Sequence, residues 1–267
     1  MTQRTAPQIE VRRINFDFPK QIDRYWFGNS PFKTHLFNSF TLFLPDGEQY
    51  MIRNVGRQLK QIKNPQLKQE VRAFIGQEGQ HSIQHTKFWD NLRLQGYEID
   101  IYIRFVRFIL FNTLERRLSI NLNLAIIAAC EHITTLFAEF VLETEFFAQA
   151  EPNLKNLFEW HCVEEIEHKS VAYDVFQYKS NSYLLRIIGM IISHLLVLGF
   201  LNLGLVMLLY QDKKLLDKKV WQQMSQFWLT KDKFMFRALK NSLDYSKKNF
   251  HPSQRDNLLL IKKVTGY

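Results

Sequence analysis

The chain has 267 residues, 46% of them hydrophobic, with 10 Gly and 7 Pro; that composition argues against a low-complexity chain and for an all-α protein of long, seldom interrupted elements. The formal net charge is +9, but residues 211–267 carry 13 Lys+Arg against 5 Asp+Glu, a net +8, so residues 1–210 (22 against 21) are almost neutral. The basic block suits anionic lipid or a solvated face; no Ser-His-Asp order, Gly-rich phosphate loop or nucleic-acid module accompanies it, so no nucleic-acid partner is expected.

Residues 1–35 are expected to form an extended arm, with an Ile/Phe alternation at Ile14–Phe18. Residues 36–44 are apolar and Pro45-Asp46-Gly47 punctuates them, which makes Asp46 the expected N-cap of a helix reaching about Ile62 with Glu48 in its first turn. Asn64-Pro65 is a restart signal, a cap followed by Pro at the first helical position, and Gly96 closes a helix of about 65–95. An apolar, Arg-dotted stretch at 100–117 supplies a crossover, a third bundle helix covers about 119–147, and Glu151-Pro152 opens a fourth that reaches about Lys179.

Residues 187–210 then run without a formal charge, long enough for a membrane span of about 20 residues. His194, Asn202 and three glycines interrupt the run, so a buried fifth helix or a dimer interface is the other reading. Residues 214–249 read as amphipathic helices with Trp221, Trp228 and Phe234 among lysines, a membrane-surface pattern. The resulting plan is an arm at 1–35, a bundle at 36–182, and an apolar helix with a basic helical tail at 183–267. Two cysteines make no disulfide framework, and the N-terminus shows no apolar signal-peptide core, so a cytoplasmic protein, associated with the inner face of the membrane, is expected.

The chemistry lies in residues 161–168. His161, Glu165 and His168 fall at i, i+4 and i+7, within an arc of about 60° on a helix. Glu78, His81 and His85 share an arc in the second helix. Two Glu-x-x-His pairs are the inward-facing pattern of di-iron or di-manganese bundles. Residues equidistant from a hairpin turn lie level across it: Glu48 and Glu78 are centred on residue 63, Glu131 and Glu165 on residue 148. This selects Glu48 over Glu70, and Glu131 over Glu139 and Glu143. The expected metal ligands are Glu48, Glu78, His81, Glu131, Glu165 and His168, with His161 a further nitrogen. His85 and Asp174 are expected behind them, and Glu164 and Glu167 are expected in salt bridges on other faces. Oxygen and imidazole donors without thiolate suit two metal ions, iron before manganese or zinc.

The order Glu48…EGQH (78–81)…Glu131…EIEH (165–168) resembles the ferritin-like di-iron carboxylate superfamily, which implies a ferritin-like four-helix bundle, here with extra C-terminal helices. The H-x-x-x-E-x-x-H of 161–168 resembles the arylamine N-oxygenases. The stretches LPDGEQY (44–50), GQEGQHSIQH (76–85), ACEHIT (129–134) and WHCVEEIEHKSVAYDVF (160–176) are similar to a bacterial family named "predicted metal-dependent hydrolase". On ligand type the first expectation is O2-dependent oxidation of a small apolar or aromatic substrate, with an electron donor as partner. The alternatives are a two-metal hydrolase and a non-enzymatic metal-binding protein attached to a membrane. A homodimer is compatible with each.

Overall fold

A computed structural model of the chain describes residues 9–19 and 22–265. Its helices are α1 (Pro31–Gly56), α2 (Pro65–Leu94), α3 (Asp100–Arg107), α4 (Ile120–Thr144), α5 (Pro152–His168), α6 (Val171–Lys179), α7 (Tyr183–Gln211), α8 (Lys218–Ser225), α9 (Phe234–Tyr245) and α10 (Leu258–Thr265). Two π-helical segments, Phe108–Glu115 and Gln226–Thr230, continue α3 and α8. No strand occurs among the described residues; one isolated bridge joins Phe27 to Ala150. The protein is all-α.

Local chemistry sets most helix starts. Ser30, Asn64, Ser119, Glu151 and Ser182 each cap a helix by accepting a backbone N–H, and Pro follows at N1 in α1, α2 and α5. One expected start is wrong. Asp46 caps nothing; α1 begins at Pro31 and passes straight through Pro45. A proline inside a helix deprives the carbonyl four residues back of its donor. Here the indole Nε1 of Trp89, on α2, donates to that orphaned Thr41 carbonyl at 2.8 Å. Asp46 instead accepts from Arg107 Nε at 2.9 Å. Glu48 is therefore a mid-helix residue. The expected fourth helix is also divided: α5 ends on His168, and α6 restarts at Val171.

α1 pairs with α2, and α4 with α5 and α6, placing the four carboxylate-bearing segments around one interior. Phenylalanines fill the end near the α4–α5 turn, where Phe37, Phe147 and Phe158 meet with ring centroids 4.6–5.1 Å apart. The arm is extended, with Arg12, Ile14, Phe16 and Phe18 half-buried between exposed neighbours, the period-2 alternation of an extended chain. It lies across α2 and α5: Phe16 packs on Trp160 and Phe18 on Phe88.

α7 lies along α1 and α4. Two glycines set that contact: a Cβ on Gly189 would sit 2.5 Å from the Ala125 backbone, and one on Gly204 would sit 2.2 Å from Ser39 Oγ. Ser193 Oγ donates to the Ile126 carbonyl at 2.7 Å, and Ser39 Oγ to the Leu201 carbonyl at 2.8 Å. Among the described residues two helices, α4 and α7, are long and apolar enough to cross a membrane; 78% of the most apolar window is buried in α4 but only 28% in α7.

The far end of α7 is held by a buried charge. Asp212 accepts from Arg24 Nε at 2.7 Å and lies 2.7 Å from His35 Nε2. Burial alone would raise the Asp212 carboxyl; the hydrogen bonds from His35 and Arg24 outweigh it and hold the group well below the usual carboxylate range. A depressed folded-state pKa contributes stability that is present above the unfolded value, near 4, and fades as pH falls below it. Asp212→Asn is expected to cost about 2 kcal/mol in urea unfolding at pH 7. The difference from wild type should shrink steadily below about pH 4; an unchanged difference at pH 3 would remove the carboxylate as its source.

Candidate metal centre

Every expected ligand is buried, and the structure brings them to one place. Donor atoms of four groupings lie within 4.8 Å of one another: Glu78, Glu131 and His168; Glu48, Glu78 and His81; His81, His161 and Glu165; Glu48, His85 and His161. Glu78 belongs to two groupings and so stands between the imidazoles of His81 and His168. Glu165 does likewise, with Oε1 at 2.9 Å from His161 Nε2, 3.7 Å from His168 Nε2 and 4.0 Å from His81 Nδ1.

The outer atoms of the histidines are fixed. His81 Nε2 meets Glu164 Oε2 at 3.0 Å, leaving Nδ1 toward the centre. His168 Nδ1 meets Gln77 Oε1 at 3.0 Å, leaving Nε2 toward Glu78 and Glu131 at 3.0 and 3.3 Å. Gln77 is itself held, donating to Glu167 Oε2 and to the Glu10 carbonyl at 2.9 Å each. Arg12 reaches from the arm to clamp both outer carboxylates, at 3.1 Å to Glu164 and 2.6–2.8 Å to Glu167. Trp160 Nε1 also donates to Glu164 at 2.9 Å. Glu164 and Glu167 do form the expected salt bridges. Their further role, orienting the imidazoles through direct and relayed bonds, was not foreseen, because Gln77 and Arg12 carry no motif. The Thr134 hydroxyl donates to Glu165 Oε2.

His85 Nε2 is 2.8 Å from His161 Nδ1, the ring nitrogen that does not meet Glu165, and His85 also shares a grouping with Glu48 and His161. Asp174, expected behind the ligands, has its Oδ1 2.8 Å from His251 Nε2, on α6 beyond the helix break. Glu139 is taken by Arg255 and Asn257, and Glu143 lies 3.6 Å from Arg237, which leaves Glu131 as the α4 carboxylate at the centre.

The inward atoms are poorly partnered. Both oxygens of Glu48 and Glu78, Glu131 Oε2, His81 Nδ1 and His168 Nε2 are buried with no well-directed hydrogen bond, the approaches of His168 Nε2 to Glu78 and Glu131 at 3.0 and 3.3 Å being close charge contacts only. Burying acceptors and charges this way is costly unless something positive stands among them. Burial raises Glu48 well above the usual range, with Glu78, Glu165 and Glu131 adding to it, and raises Glu131 to about 8 against the pull of His168. Burial would likewise raise Glu165, but the hydrogen bond from His161 and the nearby His168 hold it well below. His81 and His85 are pushed down by burial and then by His161, favouring neutral imidazole, the form that binds metal. The residues therefore fit divalent metal: inward oxygens and nitrogens, and outer atoms tied back.

A cavity of about 240 Å³ opens beside this centre; His161 and Glu165 are among the polar residues of its wall, with Thr134, His194 and Ser242, and Phe40, Phe43, Phe137 and Val197 belong to its apolar part. A chamber of about 50 Å³ adjoins it across Thr134, Glu165 and Val197 and is bounded by Glu48 and Glu78.

The family described as predicted metal-dependent hydrolase matches residues 10–256. No curated protein and no solved structure matches the chain.

Two outcomes test the centre. Glu48 is driven to its neutral form when folded but ionises when unfolded, so it lowers stability increasingly as pH rises above about 4. Glu48→Gln should stabilise the metal-free protein at pH 7 and lose that advantage near pH 4, while metal uptake falls; melting curves with and without chelator read both. Glu164→Ala, which releases His81, should weaken metal affinity about 10–100-fold in competition titrations. Wild-type affinity in that variant would show that the Glu164–His81 contact does not orient a ligand.

Proposed function

The chain belongs to the predicted metal-dependent hydrolase family, and from that premise we propose that its buried histidine–carboxylate cluster holds two divalent ions and hydrolyses an ester-type bond in an apolar substrate seated in the adjoining cavity. The observation that carries this reading is the shared wall: His161 and Glu165 belong both to the cluster and to a cavity lined mostly by apolar residues. A divalent ion, when bound, supplies Lewis acidity toward a carbonyl oxygen and a nucleophile at neutral pH.

The chain's own residues do the positioning. Glu48, His81 and His161 would hold one ion and Glu131 and His168 the other, with Glu78 and Glu165 between them. Glu164 and Gln77 keep the imidazoles turned inward. Thr134 fixes Glu165 Oε2 at the boundary with the cavity. The aromatic wall keeps bulk water from the reacting bond and selects an apolar acyl or aryl group.

The donor set supports a second reading. Four carboxylates with imidazoles suit iron, and O2-dependent oxidation of an apolar substrate would use the same cavity together with an external electron donor. Metal analysis of anaerobically purified protein, paired with hydrolysis of p-nitrophenyl acyl esters, separates the two. The expected result is zinc or manganese, chelator-sensitive hydrolysis that favours longer acyl chains, and loss of both metal and activity in Glu78→Ala. Two irons with an O2-dependent absorption band and no ester hydrolysis would move the function to the second reading.

A further inference from the structure

α7 shows a divided surface. Leu184, Ile191, Leu195, Leu198 and Val206 are all exposed, Leu195 by 69%. They fall within an arc of about 80° and run for about 33 Å along the helix. Three polar residues of the same helix make hydrogen bonds within the protein. Asn202 Nδ2 donates to the Leu198 carbonyl at 2.7 Å. Ser193 is bonded to α4. His194 lies 2.8 Å from the Met190 carbonyl and 3.0 Å from Ser242 Oγ, on α9. α9 adds its own exposed apolar residues, Phe236, Leu239 and Leu243.

The large cavity reaches this surface. Leu198 of α7 and Leu239 of α9 are exposed outside and also line the cavity. Its mouth therefore opens between the two helices, and the His161–Glu165 wall lies at its inner part.

Charge chooses between two occupants. Lys231, Lys233, Arg237 and Lys240 are exposed on and before α9, and Lys213, Lys218 and Lys219 are exposed beyond α7, within a tail of net +8. A second copy of the chain seated here by two-fold symmetry would face these cations with their own copies. An anionic lipid surface is complementary to both the apolar stripe and its basic border. α7 does not leave the protein to cross a bilayer, because Gly189 and Gly204 lock it to α4 and α1 and Asp212 anchors its end; only its outer stripe is available.

We infer that the α7–α9 face docks on an anionic membrane surface and that the cavity mouth takes its substrate, an amphiphile with an acyl or similar apolar chain, from that surface. The substrate half of the inference rests on the hydrolase reading. The docking half does not, and vesicle flotation tests it without any catalysis. Full-length protein is expected to float with phosphatidylglycerol vesicles and to stay at the bottom of the gradient with phosphatidylcholine vesicles. The double variant Leu195→Glu, Leu243→Glu changes two exposed residues outside the cavity wall, so it should melt like wild type, and its floated fraction should fall about tenfold. Wild type that stays at the bottom with anionic vesicles, or a correctly folded double variant that floats equally well, would overturn the docking. So would a wild-type dimer in sedimentation that the double variant abolishes while vesicle binding is absent. Once docking is seen, preferential turnover of vesicle-borne over dispersed acyl esters by metal-loaded protein supports the substrate half, and equal turnover of both overturns it.

Discussion

Glu48, Glu78 and Glu131 meet buried imidazoles in an interior that leaves most of their oxygens without a well-directed hydrogen bond. That is a cost most domains avoid, since a buried acceptor left alone loses its water hydrogen bonds with nothing in exchange. Here the cost is imposed from several helices at once. The surrounding polar groups do not relieve it; they bond to the far sides of the histidines and keep the near sides open. Arg12, Glu164, Glu167 and Gln77 form a bonded band across the arm, α2 and α5, so the arm is part of what holds the centre in shape. The whole arrangement makes energetic sense when positive charge occupies the middle.

The clustering of the candidate ligands is legible in the sequence because its information is local and periodic. Glu-x-x-His repeats on one helical face, and level positions across a hairpin need only the turn, not the far ends of the helices. That is why Glu48 is expected beside Glu78, where the structure has it, although the N-cap expected for its helix, Asp46, lies 16 residues beyond the observed one, Ser30. Pro45 misled because the remedy for its missing N–H is the indole of Trp89, more than 40 residues on and in another helix. Glu164 and Gln77 belong to the same class of miss. Their work depends on what stands opposite, and no periodicity records that. His85 sits one turn beyond His81 on α2, and its contact with His161 Nδ1 at 2.8 Å comes from another helix in the same way.

α7 shows where hydropathy stops being informative. A run without charge reads the same whether it is buried all round, crosses a bilayer or carries one apolar stripe outward. Of the residues that interrupt the run, Gly189, Gly204 and His194 turn inward: the two glycines admit neighbouring helices and His194 bonds to α9, as Ser193 bonds to α4, while Gly199 and Asn202 are exposed. The half-buried state of α7 follows from this division and not from a compromise in hydrophobicity.

The centre is in consequence asymmetric. On the side of α2, α5 and the arm it is closed by hydrogen bonds and ion pairs, with Trp160 and Phe16 packed over them. On the side of α1, α4 and α7 it is bounded by aromatic and aliphatic carbon and opens into the cavity. His161 and Glu165 stand at the junction, and Thr134 donates to Glu165 Oε2 there. Glu164 and Gln77 bond to the far sides of the imidazoles and do not line the cavity. The groups that orient the histidines are thus kept apart from the groups that face the cavity. A change in cavity shape can alter which molecule is accepted while leaving the bonded band, and with it the geometry of the centre, untouched.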